Sequence, residues 1–203
     1  MGVESVARPS RKLLGLTHAR TSFVGRAGAI GKVAALLDSY RLVTVTGPGG
    51  VGKTRLADEV LKHVASRFAD GVGIVELAAV SEPALVAATV ATALEVHQAA
   101  GMSIVDALAE RLSRQQLLLV LDNCEHVLDA AAELCTALLV SADDITILAT
   151  SREPLGLPEE ARYRLPPLAL PGQHPEAQSE ALILFVERAR QLSTARLYMM
   201  RRR

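Results

Sequence analysis

Residues 47–54, Gly47-Pro48-Gly49-Gly50-Val51-Gly52-Lys53-Thr54, follow the pattern G-x-x-x-x-G-K-[ST]. Glycines at this density let the backbone adopt positive φ and bring its N–H groups close to an anion. A helix beginning at Lys53 points the positive end of its dipole at the same place. Lys53 adds a compact charge suited to the outer oxygens of a polyphosphate, and Thr54 offers a hydroxyl to a magnesium ion. The chemistry expected of this stretch is the binding of a nucleotide's phosphates.

Such a site needs a second anchor for the ion. Leu117-Leu118-Leu119-Val120-Leu121-Asp122 is aliphatic throughout and acidic at its end. In open α/β sheets, ligands bind at the carboxyl ends of the strands, so Asp122 is the expected metal anchor, direct or through water. A hydrolytic site often has a second acid next to that aspartate to orient the attacking water. Asn123 stands there instead, and Glu125 is the next acid. Glu125 has two readings: a water-orienting catalytic group, or a solvated charge at a helix start. His126 reads as solvent-facing and Cys124 as a small packing residue, since no catalytic partners accompany it. A further run, Ile145 to Thr150, ends in Ser151-Arg152, which places Arg152 at a strand tip as a sensor of the terminal phosphate.

These residues need a scaffold that alternates strands and helices. Ile30, Val33, Leu37 and Tyr40 share one face of a helix over 26–40, and 41–46 is a β-branched run that stops at Gly47. Helical spacing returns over 53–68, and 72–77 reads as a strand. Ser81 is positioned to cap a helix with Pro83 in its first turn, running to about Val96. Ser103 to Asp106 resembles a capping box for a helix that ends near Arg114. Strands are expected at 117–121, 145–150 and 162–165, with a helix before the second of these running through Val140. An amphipathic helix is expected over 179–192. Alternation of this kind implies a parallel sheet with helices on both faces.

Composition agrees with a folded core. Of 203 residues, 50% are apolar and 22% charged, which excludes a chain too polar to collapse. Twenty-two basic residues balance 22 acidic ones, so the chain is not a strongly basic nucleic-acid binder. The balance is uneven along the chain. Residues 1–41 carry seven basic and two acidic side chains, and 196–203 carry four arginines. Two cysteines do not make a disulfide framework. The longest run of large aliphatics, Leu117 to Leu121, falls far short of the roughly 20 residues that span a bilayer. With no signal-peptide pattern at the amino terminus, the cytoplasm is the expected compartment.

Five stretches occur in order: Phe23-Val24-Gly25-Arg26, the loop at 47–54, LLLVLDNCEH (117–126), ILATSREPLG (147–156) and LPPLALP (165–171). Together they resemble the nucleotide-binding domain of signal-transduction ATPases with numerous domains. These are the STAND or NB-ARC-like ATPases, in the form found in bacterial transcriptional regulators of the LuxR and SARP types. The resemblance covers about residues 20–192. It implies a P-loop NTPase fold, an α/β three-layer sandwich with a five-stranded parallel sheet, in which 47–54 is the Walker A motif and 117–122 the Walker B motif. The strand ending at Arg152 would lie between the strands carrying those two motifs.

The resemblance also implies ATP or ADP with Mg²⁺, and a switch between closed and open states. By position, Val24 and Arg26 would line the adenine and ribose. Gly47, Pro48, Gly49, Gly50, Val51, Gly52, Lys53, Thr54 and Arg55 would surround the phosphates. Thr54 and Asp122 would hold Mg²⁺, and Lys53, Asp122, Glu125 and Arg152 form the catalytic set. The family's acids after Gly-Arg are replaced by Ala27 and Ala29. The expected organisation is a basic flexible arm over 1–19, the nucleotide-binding domain over 20–192 and a basic tail over 193–203. Ending at Arg203, the chain reads as a free-standing or truncated core that works with a protein partner or with downstream domains. The leading expectation is a regulatory ATPase core with slow turnover, with no specific DNA binding of its own and no membrane association. A non-catalytic nucleotide-binding scaffold is the alternative. A small-molecule or nucleoside kinase fits less well, because no arginine-rich lid appears between Asp122 and Arg152.

Overall fold

The computed structural model describes residues 13, 14 and 26–168. The elements run β1 (Leu13–Leu14), α1 (Ala27–Ser39), β2 (Leu42–Thr46), α2 (Lys53–Val64), β3 (Gly71–Glu76), α3 (Val86–Ala93), α4 (Ile104–Leu112), β4 (Leu117–Asp122), α5 (Leu128–Ser141), β5 (Thr146–Ser151) and β6 (Glu160–Arg164). The strands form one sheet in the order β1-β3-β4-β5-β2-β6, and every pair is parallel. The five expected strands are present. β5, which ends one residue before Arg152, lies between the strand that feeds the phosphate loop and the strand ending in Asp122, as the resemblance implies. Leu13 and Leu14, assigned from sequence to an arm, pair with Val72 and Gly73 as a short sixth strand at the sheet edge.

The sequence of β4 explains its central place. All six of its residues are buried, as a strand covered on both faces requires. Leu117, Leu119 and Leu121 join the hydrophobic cluster with residues of α3, α4 and α5. Leu118 and Val120 point the other way by strand alternation. On that second face α2 packs against β2 and β5, burying Leu56, Ala57, Val60, Leu61 and Val64. Arg41 ties the base of the sheet to α5: its Nη2 donates to the carbonyls of Leu139 (2.9 Å) and Ala142, and its Nε donates to that of Ile145 (3.4 Å). A cation at the carboxyl end of a helix satisfies carbonyls that have no partner within the helix.

Two helix starts can be compared with the sequence reading. Ser103 does cap α4: its Oγ accepts from the Asp106 N–H (3.1 Å) and donates to Asp106 Oδ2 (2.6 Å). Ser81 does not cap the preceding helix. Pro83 takes the first position of a single 3₁₀ turn, Pro83–Leu85, and drives the residue before it into extended backbone. The cap position therefore falls on Glu82, which makes no side-chain cap hydrogen bond. α3 then stops at Ala93, ahead of Glu95 at φ 57°. The expected helix over 179–192 lies outside the described residues. Among those residues, no helix is long and apolar enough to cross a membrane.

The chain divides into two compact units. One holds residues 1–17 and 28–165 and contains the sheet. The other holds 18–27 and 166–203; within it the Arg26 guanidinium donates to the Pro166 carbonyl at 3.1 Å.

Because Leu119 is fully buried in β4, Leu119→Ala is expected to lower the unfolding free energy by about 2–5 kcal/mol. Val140→Ala, at a position 79% exposed on α5, should change it by less than about 0.5 kcal/mol. Denaturant unfolding of the two variants measures the contrast.

Candidate functional site

The register of the sheet brings the proposed site residues together. Leu121 pairs with Ala149, so Asp122 and Thr150 are the next positions on their strands. Both project from the face that α2 covers, and α2 presents Thr54 in its first turn. The Thr54 hydroxyl lies 2.9 Å from each carboxylate oxygen of Asp122. Thr150 Oγ1 donates to Asp122 Oδ1, and Asn123 Nδ2 approaches Oδ2 at 3.4 Å. Asp122 is only 5% exposed. A buried carboxylate is costly unless polar partners hold it, and here hydroxyls from two other elements do so.

The phosphate loop has the backbone its glycines were expected to supply. Gly50 and Gly52 adopt φ 73° and 97°, in the left-handed region. Gly47 has φ 151°, and a Cβ there would meet the Leu165 carbonyl at 3.0 Å and the Val51 side chain at 3.2 Å. A side chain at Gly47 would thus occupy the base of the loop. Gly52 precedes α2 without any side-chain cap hydrogen bond, and its carbonyl accepts the Leu56 N–H at 2.9 Å. Lys53 is 6% exposed, and its ammonium group donates to the carbonyls of Gly47 (3.0 Å) and Pro48 (3.3 Å). Both partners are neutral dipoles, so the side chain lies along the loop with its charge uncompensated by them. Pro48 also accepts from the Val51 N–H at 3.3 Å. Arg55 follows in the first turn of α2.

Arg152 also reaches this loop. A Cβ built on Gly49 would stand 3.6 Å from an Arg152 guanidinium nitrogen. Arg152 Nε is ion-paired with Glu125 Oε1 at 3.1 Å. The other oxygen, Glu125 Oε2, is buried and has no hydrogen-bond partner among the described residues. These two side chains, with Asn123, His126 and Glu153, line a pocket of about 520 Å³. His126 Nε2 is 2.8 Å from the Leu77 carbonyl, and a nitrogen so placed donates its proton there. That bond gives His126 a structural tie that the solvent-facing reading did not include.

The residues fit a magnesium-nucleotide complex on what they present. Glycines open a cradle that a Cβ would fill, a buried lysine faces loop carbonyls, and a hydroxyl and a carboxylate 2.9 Å apart form a hard-oxygen pair of the kind Mg²⁺ prefers. Thr54 can keep donating to Asp122 while its lone pairs serve a cation. Val24 lies outside the described residues, and Arg26 belongs to the second unit.

Two contributors escaped the sequence reading. Thr150 was read only as part of a strand. Asp58 stands four residues after Thr54, on the same face of α2; its carboxyl is raised from its ordinary value by burial and by the charge of Asp122. The i, i+4 spacing was visible, but an acid on a helix carries no signal until its face is known.

Residues 37–153 match the family model described as an AAA domain. A Mycobacterium tuberculosis protein named "Putative HTH-type transcriptional regulator" is 44% identical over 155 residues, 76% of this chain and 17% of that protein. A second protein of the same organism is 41% identical over 172 residues, 85% of this chain and 42% of its own length. The chain therefore spans less than half of either relative. Among solved structures, the Aeropyrum pernix ORC2 protein aligns with a TM-score of 0.51 at 17% identity, covering 72% of this chain and 50% of that one. A STAND protein with a tetratricopeptide repeat sensor from Pyrococcus horikoshii aligns at 0.50 and 15% identity, covering 79% and 24%. At these identities the two structures speak to the fold, which they share with this chain.

The cysteines give a check on the packing around the site. Burial pushes the Cys124 thiol well above its ordinary value, and that of Cys135 up to about 12. Both are free and buried. A raised pKa means that their contribution to stability is intact below the ordinary thiol value of about 9 and is lost as the pH climbs beyond it. At pH 8 neither thiol should react with a disulfide reagent in the native chain, both should react once it is unfolded in guanidinium, and the midpoint of unfolding should fall above about pH 9.

Proposed function

The chain belongs to the AAA domain family, and on that premise we propose that it is the ATP- and ADP-binding core of a regulatory switch, with slow hydrolysis of ATP. The observation that carries this reading is the joining of the Walker A threonine to the Walker B aspartate, Thr54 to Asp122, at 2.9 Å beside an open glycine loop. The motif order seen in the sequence supports the finer assignment to the STAND or NB-ARC-like ATPases of LuxR- and SARP-type regulators. The name of the 44%-identical mycobacterial relative supports a place in transcriptional control. In this reading the chain supplies the nucleotide switch, and reading of DNA is left to a protein partner or to further domains. The site serves adenine nucleotide in the cytoplasm, and nucleotide acts by binding one conformation more tightly than another.

The roles follow from position. Loop N–H groups and the start of α2 hold the phosphates, with Gly47, Gly49, Gly50 and Gly52 allowing the close approach. Lys53 turns its ammonium group to the phosphate oxygens and offsets the charge that develops on them. Thr54 and Asp122 hold Mg²⁺, which when bound neutralises charge on the phosphates. Arg152 lies against the loop where it meets a terminal phosphate. Glu125 Oε2, buried and without a hydrogen-bond partner among the described residues, would orient a water for in-line attack.

A second reading has its own support. Asn123 replaces the acid that commonly follows the aspartate, and Glu125 is engaged by Arg152. In that reading nucleotide is bound and kept, and the chain acts as a nucleotide-stabilised scaffold. Phosphate release from ATP with Mg²⁺ separates the two. Loss of an outer-shell partner alone commonly costs about 10–100-fold in metal affinity or activity, so Asp122→Ala should slow release by at least about tenfold. Equal rates in the wild type and Asp122→Ala would contradict the metal-anchor assignment. ATP bound and intact for hours would favour the scaffold.

A further inference from the structure

Thr150 is fully buried near the end of β5. Its hydroxyl has two partners: it donates to Asp122 Oδ1 and accepts the Asn123 N–H at 3.0 Å. That uses its one proton and a lone pair. Asn123 sits in the left-handed region at φ 62°, ψ 52°, where a residue with a side chain needs support from its surroundings. One hydroxyl therefore fixes both the carboxylate of residue 122 and the backbone of residue 123.

Threonine 44, on the neighbouring strand β2, gives the comparison. It is equally buried, and its hydroxyl finds no partner among the described residues. A strand threonine inside this sheet is thus tolerated without a hydrogen bond, and the pair of bonds at Thr150 is not something burial alone enforces. The torsion that turns a carboxylate about its own axis is broad. Thr54 straddles both oxygens of Asp122 evenly and selects neither. Thr150 bonds one of them from a β-branched side chain, which is stiff at χ1, on a strand paired on both sides.

We propose that Thr150 is a positioning residue for the magnesium site: through its hydroxyl it holds Asp122 Oδ1 back in the protein and leaves Oδ2, met otherwise by Thr54 and by the long 3.4 Å approach of Asn123 Nδ2, to turn to the ion. This rests on the reading of Asp122 as the metal anchor. Arg152 follows Thr150 two residues later, just past the end of β5, so the same hydroxyl links the strand tip facing the phosphate to the carboxylate facing the ion.

The test uses the full chain and a fluorescent ADP analogue, read as the Mg²⁺ concentration that gives half of the magnesium-dependent gain in affinity. Thr150→Val keeps the shape and removes the hydroxyl; Thr150→Ser keeps the hydroxyl and removes the methyl. Thr150→Val should raise the half-saturating Mg²⁺ by about tenfold or more, with affinity in EDTA within about twofold of wild type. Thr150→Ser should stay within about twofold in both measurements. In an Asp122→Ala background, Thr150→Val should change nothing further. A Mg²⁺ dependence unchanged in folded Thr150→Val, or as damaged in Thr150→Ser, overturns the proposal while leaving nucleotide binding intact. Should Thr150→Val fail to fold, Thr150→Ala is read against Thr150→Ser by the same criterion. A folded wild-type chain that binds no ADP overturns both this proposal and the reading beneath it.

Discussion

A carboxylate removed from water must be held by other polar groups, and Asp122 is held by hydroxyls from two different elements. Thr54 comes from the first turn of α2, and Thr150 from the end of β5. The three elements meet there because β5 lies beside β4, and α2 crosses the face toward which both Asp122 and Thr150 point. If β4 slipped by one residue, Asp122 would face α3–α5 and Thr54 would lose its partner. The aliphatic run of β4 guards against this, since both of its faces must find apolar cover.

Lys53 lies along loop carbonyls, Asp122 is met by hydroxyls, and Arg152 is ion-paired with Glu125. Neutral partners cost less to leave than opposite charges do, so Lys53 and Asp122 can turn toward a phosphate and its cation without breaking a salt bridge. Arg152 differs: it is 64% exposed while Glu125 is 18% exposed. A terminal phosphate that drew the arginine would have to compete with that carboxylate.

The parts of this arrangement legible in the sequence are those whose residue types do local work. Gly47 to Thr54 declares its chemistry within eight residues, and the run ending in Asp122 declares both a doubly covered strand and an acid at its carboxyl end. Parallel order followed from alternation. The rest depends on distant register or on backbone strain. Thr150 became a partner of Asp122 only through the pairing of β4 with β5, and Asn123 took a left-handed conformation that no neighbouring residue announces. The helix expected from Ser81 began later because Pro83 set a tighter first turn. Leu13 and Leu14 found the free edge of β3, and no local pattern marks a two-residue strand.

The central claim is that this loop binds the phosphates of an adenine nucleotide. Calorimetric titration of the folded 203-residue chain with ADP, with and without Mg²⁺, tests it most directly. Saturable one-site binding that tightens with Mg²⁺, and that Lys53→Ala weakens, is the predicted result. No saturable heat with ADP or ATP in either condition, from a chain whose circular dichroism shows it folded, would contradict the account.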